Sequence, residues 1–135
     1  MTVRITSKKQ KPEKMDIQNL KTEEYEWEDN TLDKIKQEFE DKSILFIEMI
    51  VNNNYLSIEF GSECCFIEMT DEEKAEIYIY KNVKEEDADE YIDLYANCYK
   101  KSCLCYNFND MIEIIQAFSL TGEPDLNYQW EIIPM

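Results

Sequence analysis

The sequence predicts an α+β domain, with a mainly antiparallel, twisted β-sheet of about five to seven strands and an N-terminal and a C-terminal helix packed on one face. Four segments between residues 43 and 80 are apolar or alternate between apolar and polar residues, and short polar turns separate them. Two further segments, one on each side of this region, repeat their apolar residues with a helical period. Consecutive strands joined by short turns indicate an antiparallel meander with one buried face.

The first predicted helix begins after Asn30, whose side chain is of a type that caps helices. Leu32, Ile35 and Phe39 then fall at i, i+3 and i+7, which is one stripe of an amphipathic helix. Because the stripe is narrow and its neighbours are charged, we expect this helix to cover a sheet and not to lie at the centre of the domain.

The strands of the meander follow from four consecutive patterns. Residues 43–51 form a dense apolar run rich in β-branched side chains, which is typical of a central strand, and the three asparagines at 52–54 indicate a turn. The next three strands are separated by polar turns at 61–63 and 70–74. We assign their alternating apolar residues to the buried face: Leu56, Ile58 and Phe60, then Cys65, Ile67 and Met69, then Ile77 and Ile79.

The segment from Tyr91 to Tyr99 fits two different periods. Ile92 and Leu94 alternate as in a strand, whereas Ile92, Tyr95 and Tyr99 lie on one stripe of a helix. Periodicity leaves both structures open for this segment.

The last helix has the clearest boundaries. Asn109 is of a type that caps its start, Gly122 can close its end, Pro124 prevents it from continuing, and a short strand at 128–133 follows. Its apolar stripe at i, i+3, i+4 and i+7 comprises Met111, Ile114, Ile115 and Phe118.

The composition excludes several classes of function. The chain of 135 residues has no histidine, so it cannot contain a Ser-His-Asp or Cys-His catalytic arrangement. It has only two glycines, which excludes phosphate-binding and dinucleotide-binding loops rich in glycine. Its apolar run at 44–47 is followed at once by Glu48, and no stretch is long enough to span a bilayer, so we expect no membrane span.

The charge of the chain indicates the kind of partner. The formal net charge is −16, and because residues 1–20 carry five bases and two acids, the rest of the chain carries −19. Such a charge repels phosphate backbones and attracts basic proteins. We therefore expect a basic protein partner and no direct binding of nucleic acid.

The N-terminal residues are polar, basic and without a period. We interpret residues 1–14 as a flexible basic leader, or an edge strand at most, and residues 15–135 as a single domain. No apolar segment of the secretory type follows the basic residues, and the cysteine count of five is odd. We expect a cytoplasmic protein that is a monomer or a weak homodimer.

The cysteines do not have the spacing of a metal site. Cys64 and Cys65 are adjacent, and Cys98, Cys103 and Cys105 lack the C-x2-C pairs that zinc sites use. We interpret them as buried reduced thiols and expect no metal and no cofactor. Most carboxylates cluster in loops without the regular spacing of a calcium loop, which indicates a solvated surface.

The candidate site is a surface that binds a protein. Tyrosines on the predicted polar side of strands would supply rigid contact area, and neighbouring carboxylates would steer a basic partner. The alternative is that these tyrosines only pack across strands. The predicted partner-binding residues are Glu63, Asp71, Glu72, Glu73, Tyr78, Tyr80, Glu85, Glu86, Asp87 and Asp89.

The C-terminal third of the chain carries a family pattern. Residues 108–118, FNDMIEIIQAF, lead into Thr121-Gly122-Glu123-Pro124 and then to Trp130, and residues 55–61 form an L-x-I-x-x-G strand and turn. Over residues 27–131 this pattern resembles the first-numbered family of immunity proteins of bacterial polymorphic toxin systems. The matching positions, which we interpret as structural, are Gly61, Phe118, Gly122 and Trp130.

The resemblance implies a cytosolic inhibitor that binds the toxin domain encoded beside it and blocks the active site of that toxin. Toxins paired with this family include nucleic-acid deaminases and nucleases, and the resemblance also implies that residues 91–108 are strand-like. An acidic inhibitor would be attracted to the basic cleft of such an enzyme. Two alternatives stay open, namely a small carboxylate- or metal-dependent hydrolase and an acidic adaptor or nucleic-acid mimic without a dedicated toxin.

Overall fold

The computed structural model describes residues 1–8 and 20–135, which form an α+β architecture. The elements in chain order are β1 (Thr2–Lys8), β2 (Leu20–Glu26), α1 (Thr31–Glu40), β3 (Ile44–Val51), β4 (Asn54–Phe60), β5 (Cys65–Asp71), β6 (Glu76–Tyr80), β7 (Tyr91–Asp93), β8 (Cys98–Lys100), β9 (Leu104–Cys105), α2 (Phe108–Thr121) and β10 (Trp130–Pro134). Short 3₁₀ helices occupy Val83–Glu85 and Lys101–Cys103.

Within the described residues, the main sheet has eight strands in the order β10-β6-β5-β4-β3-β1-β2, with β9 paired beside β5. Every pairing is antiparallel, and β7 and β8 form a separate hairpin. The α+β class and the antiparallel meander from β3 to β6 are confirmed. The strand number exceeds the predicted five to seven, because β1, β2, β9 and the divided region around β7 and β8 add strands that the sequence did not reveal clearly.

The prediction of a flexible leader is wrong for its first eight residues. β1 lies inside the sheet between β2 and β3, with Val3 and Ile5 almost fully buried. Arg4 lies on the opposite face, where its guanidinium contacts Glu24 at 2.9 Å and Glu48 at 3.4 Å. Side chains alternate between the two faces of a strand, so the buried apolar residues of β1 are separated by polar and basic ones and the segment is basic on average. The remaining leader residues, 9–14, lie outside the described residues.

Both helices contribute to one core cluster with the inner face of the sheet. Ile35 of α1 is fully buried in this cluster, and Leu32 and Phe39 pack against it. From α2 the cluster receives Met111, Ile112, Ile114, Ile115 and Phe118. The apolar stripes predicted for the two helices are therefore confirmed.

The helix caps differ from those predicted. Asn107 caps α2, because its Oδ1 accepts hydrogen bonds from the backbone N–H groups of Asn109 at 2.9 Å and Asp110 at 3.3 Å. The cap thus lies two residues before the predicted one, and the helix begins at Phe108. Asn30 occupies the predicted position at the start of α1, but its side chain makes no capping hydrogen bond.

The hairpin of β7 and β8 settles the ambiguous segment as two short strands. It packs on the outer face of the main sheet, where the ring of Tyr99 stacks on that of Phe66 with centroids 3.9 Å apart. Cys64, Phe66 and Leu104 are the buried residues of this second, smaller cluster.

A buried carboxylate joins this hairpin to the sheet. Glu59 of β4 is 2% exposed and accepts four hydrogen bonds. The backbone N–H groups of Ala96 and Asn97 donate to Oε2 at 3.0 and 2.9 Å, and the Asn97 amide and the Tyr99 hydroxyl donate to Oε1 at 3.0 and 2.8 Å. The alternation of β4 predicts the outer face for Glu59, but burial there depends on the hairpin.

Replacing Gly122 with alanine is expected to reduce the free energy of unfolding by about 1–3 kcal/mol. Gly122 has a φ of +73°, and an added Cβ would lie 2.8 Å from the Val51 carbonyl oxygen, which is backbone and cannot easily move. Urea unfolding followed by circular dichroism measures the loss.

Gly61→Ala is the control for this prediction. Gly61 has no positive φ, and an added Cβ would first meet the Leu94 side chain at 3.2 Å, which can shift by a few tenths of an ångström. We expect a clearly smaller loss of stability. Equal losses in the two variants would contradict a role for the left-handed conformation at Gly122.

Candidate protein-binding surface

The predicted partner-binding residues lie at two opposite ends of the sheet. β5 runs from Cys65 to Asp71, so Glu63 precedes the strand and Glu72 and Glu73 follow it, roughly 20 Å away at the usual rise per residue. The chain returns through β6, which brings the segment 83–89 back to the end where Glu63 lies. The predicted carboxylates therefore do not form one surface.

Two of the predicted residues, Tyr78 and Tyr80, are buried, so their assignment as exposed anchors is wrong. They are 6% and 8% exposed and belong to the main core, whereas Ile77 and Ile79 lie on the outer face. Tyr78 pairs directly with Met69, and directly paired residues share a face of the sheet. The sequence suggested the reverse because apolar residues occupy both faces of this strand, with Ile79 packing under the hairpin.

The environments of these two tyrosines are consistent with structural roles. The Tyr78 hydroxyl donates to Glu76 at 2.7 Å, and this hydrogen bond raises the pKa of Tyr78 to about 12. The ring of Tyr80 packs edge-on against Trp130 with centroids 6.2 Å apart, and burial raises the pKa of Tyr80. Both phenols stay protonated and fill the core.

Asp71, another of the predicted partner-binding residues, is also buried. It is 5% exposed, and its Oδ1 accepts a hydrogen bond from the Lys74 N–H at 3.1 Å, which closes the turn between β5 and β6. Strand β5 continues through residues 70 and 71, where a loop was predicted. Of this group only Glu72 and Glu73 are exposed.

The remaining predicted carboxylates gather at the other end, which we call the acidic end. It consists of Glu63, Val83, Glu85, Glu86, Asp87, Asp89, Glu90, Tyr91 and Tyr106. Glu63 and Tyr106 line the same small gap beside Cys64. The acidic end therefore combines residues from the turn before β5, the acidic loop, the start of β7 and the residue after β9.

Backbone hydrogen bonds hold the acidic loop in place. The N–H of Asn82 donates to the Ser102 carbonyl at 2.8 Å, and its side-chain amide donates to the Leu104 carbonyl at 2.9 Å. The Lys101 N–H donates to the Glu90 carbonyl at 2.9 Å. The loop is thus fixed at both ends, which lowers the entropic cost of binding a partner.

The charges of the acidic end are only partly neutralised. Lys81 lies 3.2 Å from Glu86 and Lys101 lies 3.8 Å from Glu85, and exposed pairs of this kind contribute little. Four carboxylates have no ion-pair partner among the described residues, namely Glu63, Asp87, Asp89 and Glu90. These four carboxylates supply the negative electrostatic field that would attract a basic partner.

Exposed apolar side chains lie among these charges. Val83 is 55% exposed, Tyr91 58% and Tyr106 41%. Burial, the Cys64 thiol and then the charges of Glu85 and Glu90 raise the pKa of Tyr106, so its hydroxyl stays protonated and can donate. Sequence reasoning missed Tyr106, although its position directly after the buried Cys105 indicates an outward direction by alternation.

The family-pattern residues occupy structural positions. Gly61 forms the turn between β4 and β5, where its N–H donates to the Cys64 carbonyl at 2.8 Å, and Gly122 closes α2. Phe118 is fully buried, and the Trp130 indole donates to the Asp125 carbonyl at 3.0 Å. They position the turn before β5, the end of the helix and the edge of the sheet, and Gly61 lies in the same turn as Glu63.

All five cysteines are free thiols. Cys64, Cys65 and Cys105 are buried as predicted, whereas Cys103 is partly buried and Cys98 is exposed. Burial raises the pKa of the Cys64 thiol. Within residues 1–8 and 20–135, no group of three or more cysteine or carboxylate side chains is arranged to hold a metal ion.

Two half-buried carboxylates make stability depend on pH. Burial is the main cause that raises the pKa of Glu38 and of Glu68 in the folded protein. A raised pKa means that protonation favours the folded state, so this stabilisation is complete at low pH and is lost as pH rises through the folded pKa. We expect the free energy of unfolding to increase when pH falls from about 7.5 to about 5.

The pH dependence can be assigned with two double variants. Glu38→Gln with Glu68→Gln should flatten the dependence measured by urea unfolding at a series of pH values. Glu72→Gln with Glu73→Gln changes the net charge equally at exposed positions and should leave most of the dependence intact. Equal effects of the two pairs would assign the dependence to net charge.

No family model matches the chain, and no curated protein or solved structure matches it. The family resemblance of residues 27–131 therefore stays a prediction. No helix in the described parts of the chain is long and apolar enough to cross a membrane. The acidic end is therefore the feature of the molecule that points to a function.

Proposed function

We propose that the protein is an immunity protein, which binds and neutralises a cognate bacterial polymorphic toxin domain by occluding its basic active-site cleft. The toxin would be a nucleic-acid deaminase or a nuclease, and the inhibitor would act in the cytoplasm as a monomer or weak homodimer. It would need no catalytic residue, cofactor, membrane or nucleic acid of its own. The acidic end carries this proposal, because it combines unpaired carboxylates with exposed Val83, Tyr91 and Tyr106.

The composition of the acidic end suits a protein interface. Aromatic side chains supply rigid contact area that can be desolvated, and tyrosine is enriched among the residues that dominate binding. The surrounding carboxylates form a polar rim that attracts a basic cleft at long range. A cleft built for a phosphate backbone would meet negative charges spread along one surface, so the inhibitor and the nucleic acid would compete for the same groups.

The charge of the whole molecule acts in the same direction. A net charge of −16 favours encounter with a basic protein and repels the nucleic acid on which the toxin acts. The resemblance over residues 27–131 supports the same function by a separate observation, because its motif residues are structural glycines and aromatic residues and not the carboxylates of the acidic end.

The proposal expects a neighbouring gene for a large secreted protein with a variable C-terminal domain, and co-expression with that domain tests it. We expect cells to survive expression of that domain only when this protein is present, and the purified proteins to form a stable complex without enzymatic activity on nucleic acid. A toxin domain from an unrelated locus is the control and should not be neutralised. If the protein accumulates in folded form and neither rescues cells nor binds the neighbouring domain, the assignment to that toxin is wrong.

A further inference from the structure

The two edges of the main sheet differ in their chemistry. At one edge, β2 has the sequence LKTEEYE, in which four of seven residues are charged. At the other edge, β10 has the sequence WEIIP, with a single charge and mostly exposed residues. Charged residues are the usual protection of an edge strand against pairing with another chain. The edge of β10 largely lacks that protection.

The register of β10 shows which backbone groups are free. The Lys81 N–H donates to the Gln129 carbonyl at 3.0 Å, and the Met135 N–H donates to the Ala75 carbonyl at 2.8 Å. In an antiparallel pair such bonds recur at every second residue, so Glu131 and Ile133 bond to β6. The N–H and C=O groups of Ile132 therefore point away from β6, and no strand pairs with them among the described residues.

The side chains beside this edge favour a basic partner. Ile132 is 54% exposed and follows Glu131 in the strand. The exposed acids Glu72 and Glu73 lie at the far end of this edge, in the turn whose Ala75 carbonyl accepts from the Met135 N–H. A second copy of the chain would bring the same acids together in a molecule that already carries −16. A strand with alternating basic residues would instead place positive charge beside these carboxylates.

We propose that the free edge of β10 takes up an extended, basic segment of the partner protein as an additional strand of the sheet. The identity of that partner as the toxin domain rests on the proposed function, whereas the preference for a basic strand rests on the edge itself. Main-chain hydrogen bonds to Trp130 and Ile132 would hold the segment, and the carboxylates would select its side chains. Pro134 has no N–H and would limit the new pairing at that end.

Amide hydrogen exchange of the intact protein tests the proposal without the toxin. The probe is a capped seven-residue peptide that alternates lysine and valine, and the control peptide alternates glutamate and valine. We expect the basic peptide at saturation to slow exchange at the Ile132 amide at least tenfold and to change the outward amides of β2 less than twofold. Equal protection by both peptides, protection at β2, or no protection at Ile132 would overturn the proposal.

A variant pair tests the backbone contact directly. Ile132→Pro removes the outward N–H and should weaken binding of the labelled basic peptide at least tenfold, whereas Ile132→Val keeps this group and should change binding less than threefold. Unchanged binding to a folded proline variant would contradict the proposal. If the proline variant does not fold, the exchange experiment on the unmodified protein decides.

Two further outcomes separate this inference from the function. Protection of Ile132 without peptide, together with a dimer that forms as concentration rises in sedimentation, would assign the edge to a second copy and refute the proposal. Rescue of cells by a complex in which Ile132 exchanges freely would refute this inference and leave the function standing. Protection of Ile132 by the basic peptide without rescue of cells would support strand addition at the β10 edge and refute the proposed immunity function.

Discussion

Replacing Glu59 with leucine is expected to lower the free energy of unfolding by about 3 kcal/mol and to release the β7–β8 hairpin from the sheet. The carboxylate is 2% exposed and accepts hydrogen bonds from four donors on the hairpin. Leucine is similar in size but accepts nothing, so the backbone N–H groups of Ala96 and Asn97 would lose their acceptor. Leaving such groups without a partner costs far more than a lost surface contact.

Glu59→Gln should give a smaller loss of about 1 kcal/mol. Its single side-chain oxygen can still accept from the two backbone N–H groups, and the Tyr99 hydroxyl and the Asn97 amide can reorient toward the new NH₂ group. The charge that strengthens all four bonds is lost. Stability is therefore expected to decrease from the unmodified protein to Glu59→Gln and then to Glu59→Leu.

Urea unfolding measures the stability, and hydrogen exchange at residues 94–99 measures the release of the hairpin. Glu68→Leu is the matched control, because Glu68 lies on the same face of the sheet, is half buried and accepts no side-chain hydrogen bond from the described residues. It should be neutral or stabilising, since its carboxylate is partly desolvated without compensation. A loss at Glu68 equal to that at Glu59, or an unchanged exchange rate in the hairpin, would contradict the role of Glu59.

Glu59 also shows which kind of contact cannot be predicted from the sequence. The alternation of β4 predicts its face correctly, since Leu56, Ile58 and Phe60 are the buried core residues on the other side. Burial of the carboxylate depends on a contact with residues 96–99, almost forty positions later, and no local period encodes such a contact. The predicted orientation of Tyr78 is wrong for a related reason. Both faces of β6 are covered, so the alternation of apolar residues no longer distinguishes the two faces.

Local chemistry was sufficient for the turns and the last helix. Asn52 and Asn53 adopt φ values of 52° and 69°, the left-handed region that asparagine tolerates, and Gly122 closes α2 as predicted.

The candidate site was predicted in part. The charges were evident from the sequence, and successive turns of a meander lie at opposite ends, so the separation of Glu63 from Glu72 follows from the predicted topology.

Neutralising the four unpaired carboxylates of the acidic end is expected to slow association with the toxin domain roughly ten- to hundredfold at low ionic strength. The variant combines Glu63→Gln, Asp87→Asn, Asp89→Asn and Glu90→Gln. These side chains have no ion-pair partner among the described residues, so their replacement removes long-range attraction without breaking a contact that holds the fold. Stopped-flow mixing of the two purified proteins measures the association rate constant.

A control with the same change in net charge distinguishes local steering from overall charge. Glu26, Glu28, Asp29 and Asp33 are exposed at the opposite end of the sheet, at the end of β2 and the start of α1, and their amide variants also reduce the net charge by four. If the acidic end faces the basic cleft, this control should slow association less than threefold when both quartets are compared at physiological salt, because the Debye length there is about 8 Å and charges at the opposite end of the sheet are screened. Equal slowing by both quartets would locate the interface elsewhere.

The salt dependence of the association rate provides a second test of local steering against overall charge. Attraction between the unpaired carboxylates and a basic cleft should make the association rate of the unmodified protein fall steeply as salt is added. The quartet at the acidic end should flatten this dependence while the dissociation rate changes little, since rim charges act mainly on encounter. Tyr106→Ala should show the reverse pattern, because an exposed aromatic ring is buried only after contact and its loss would raise the dissociation rate. If the tyrosine variant and the charge variant alter the same rate constant, the division of the acidic end into a steering rim and an apolar anchor is wrong.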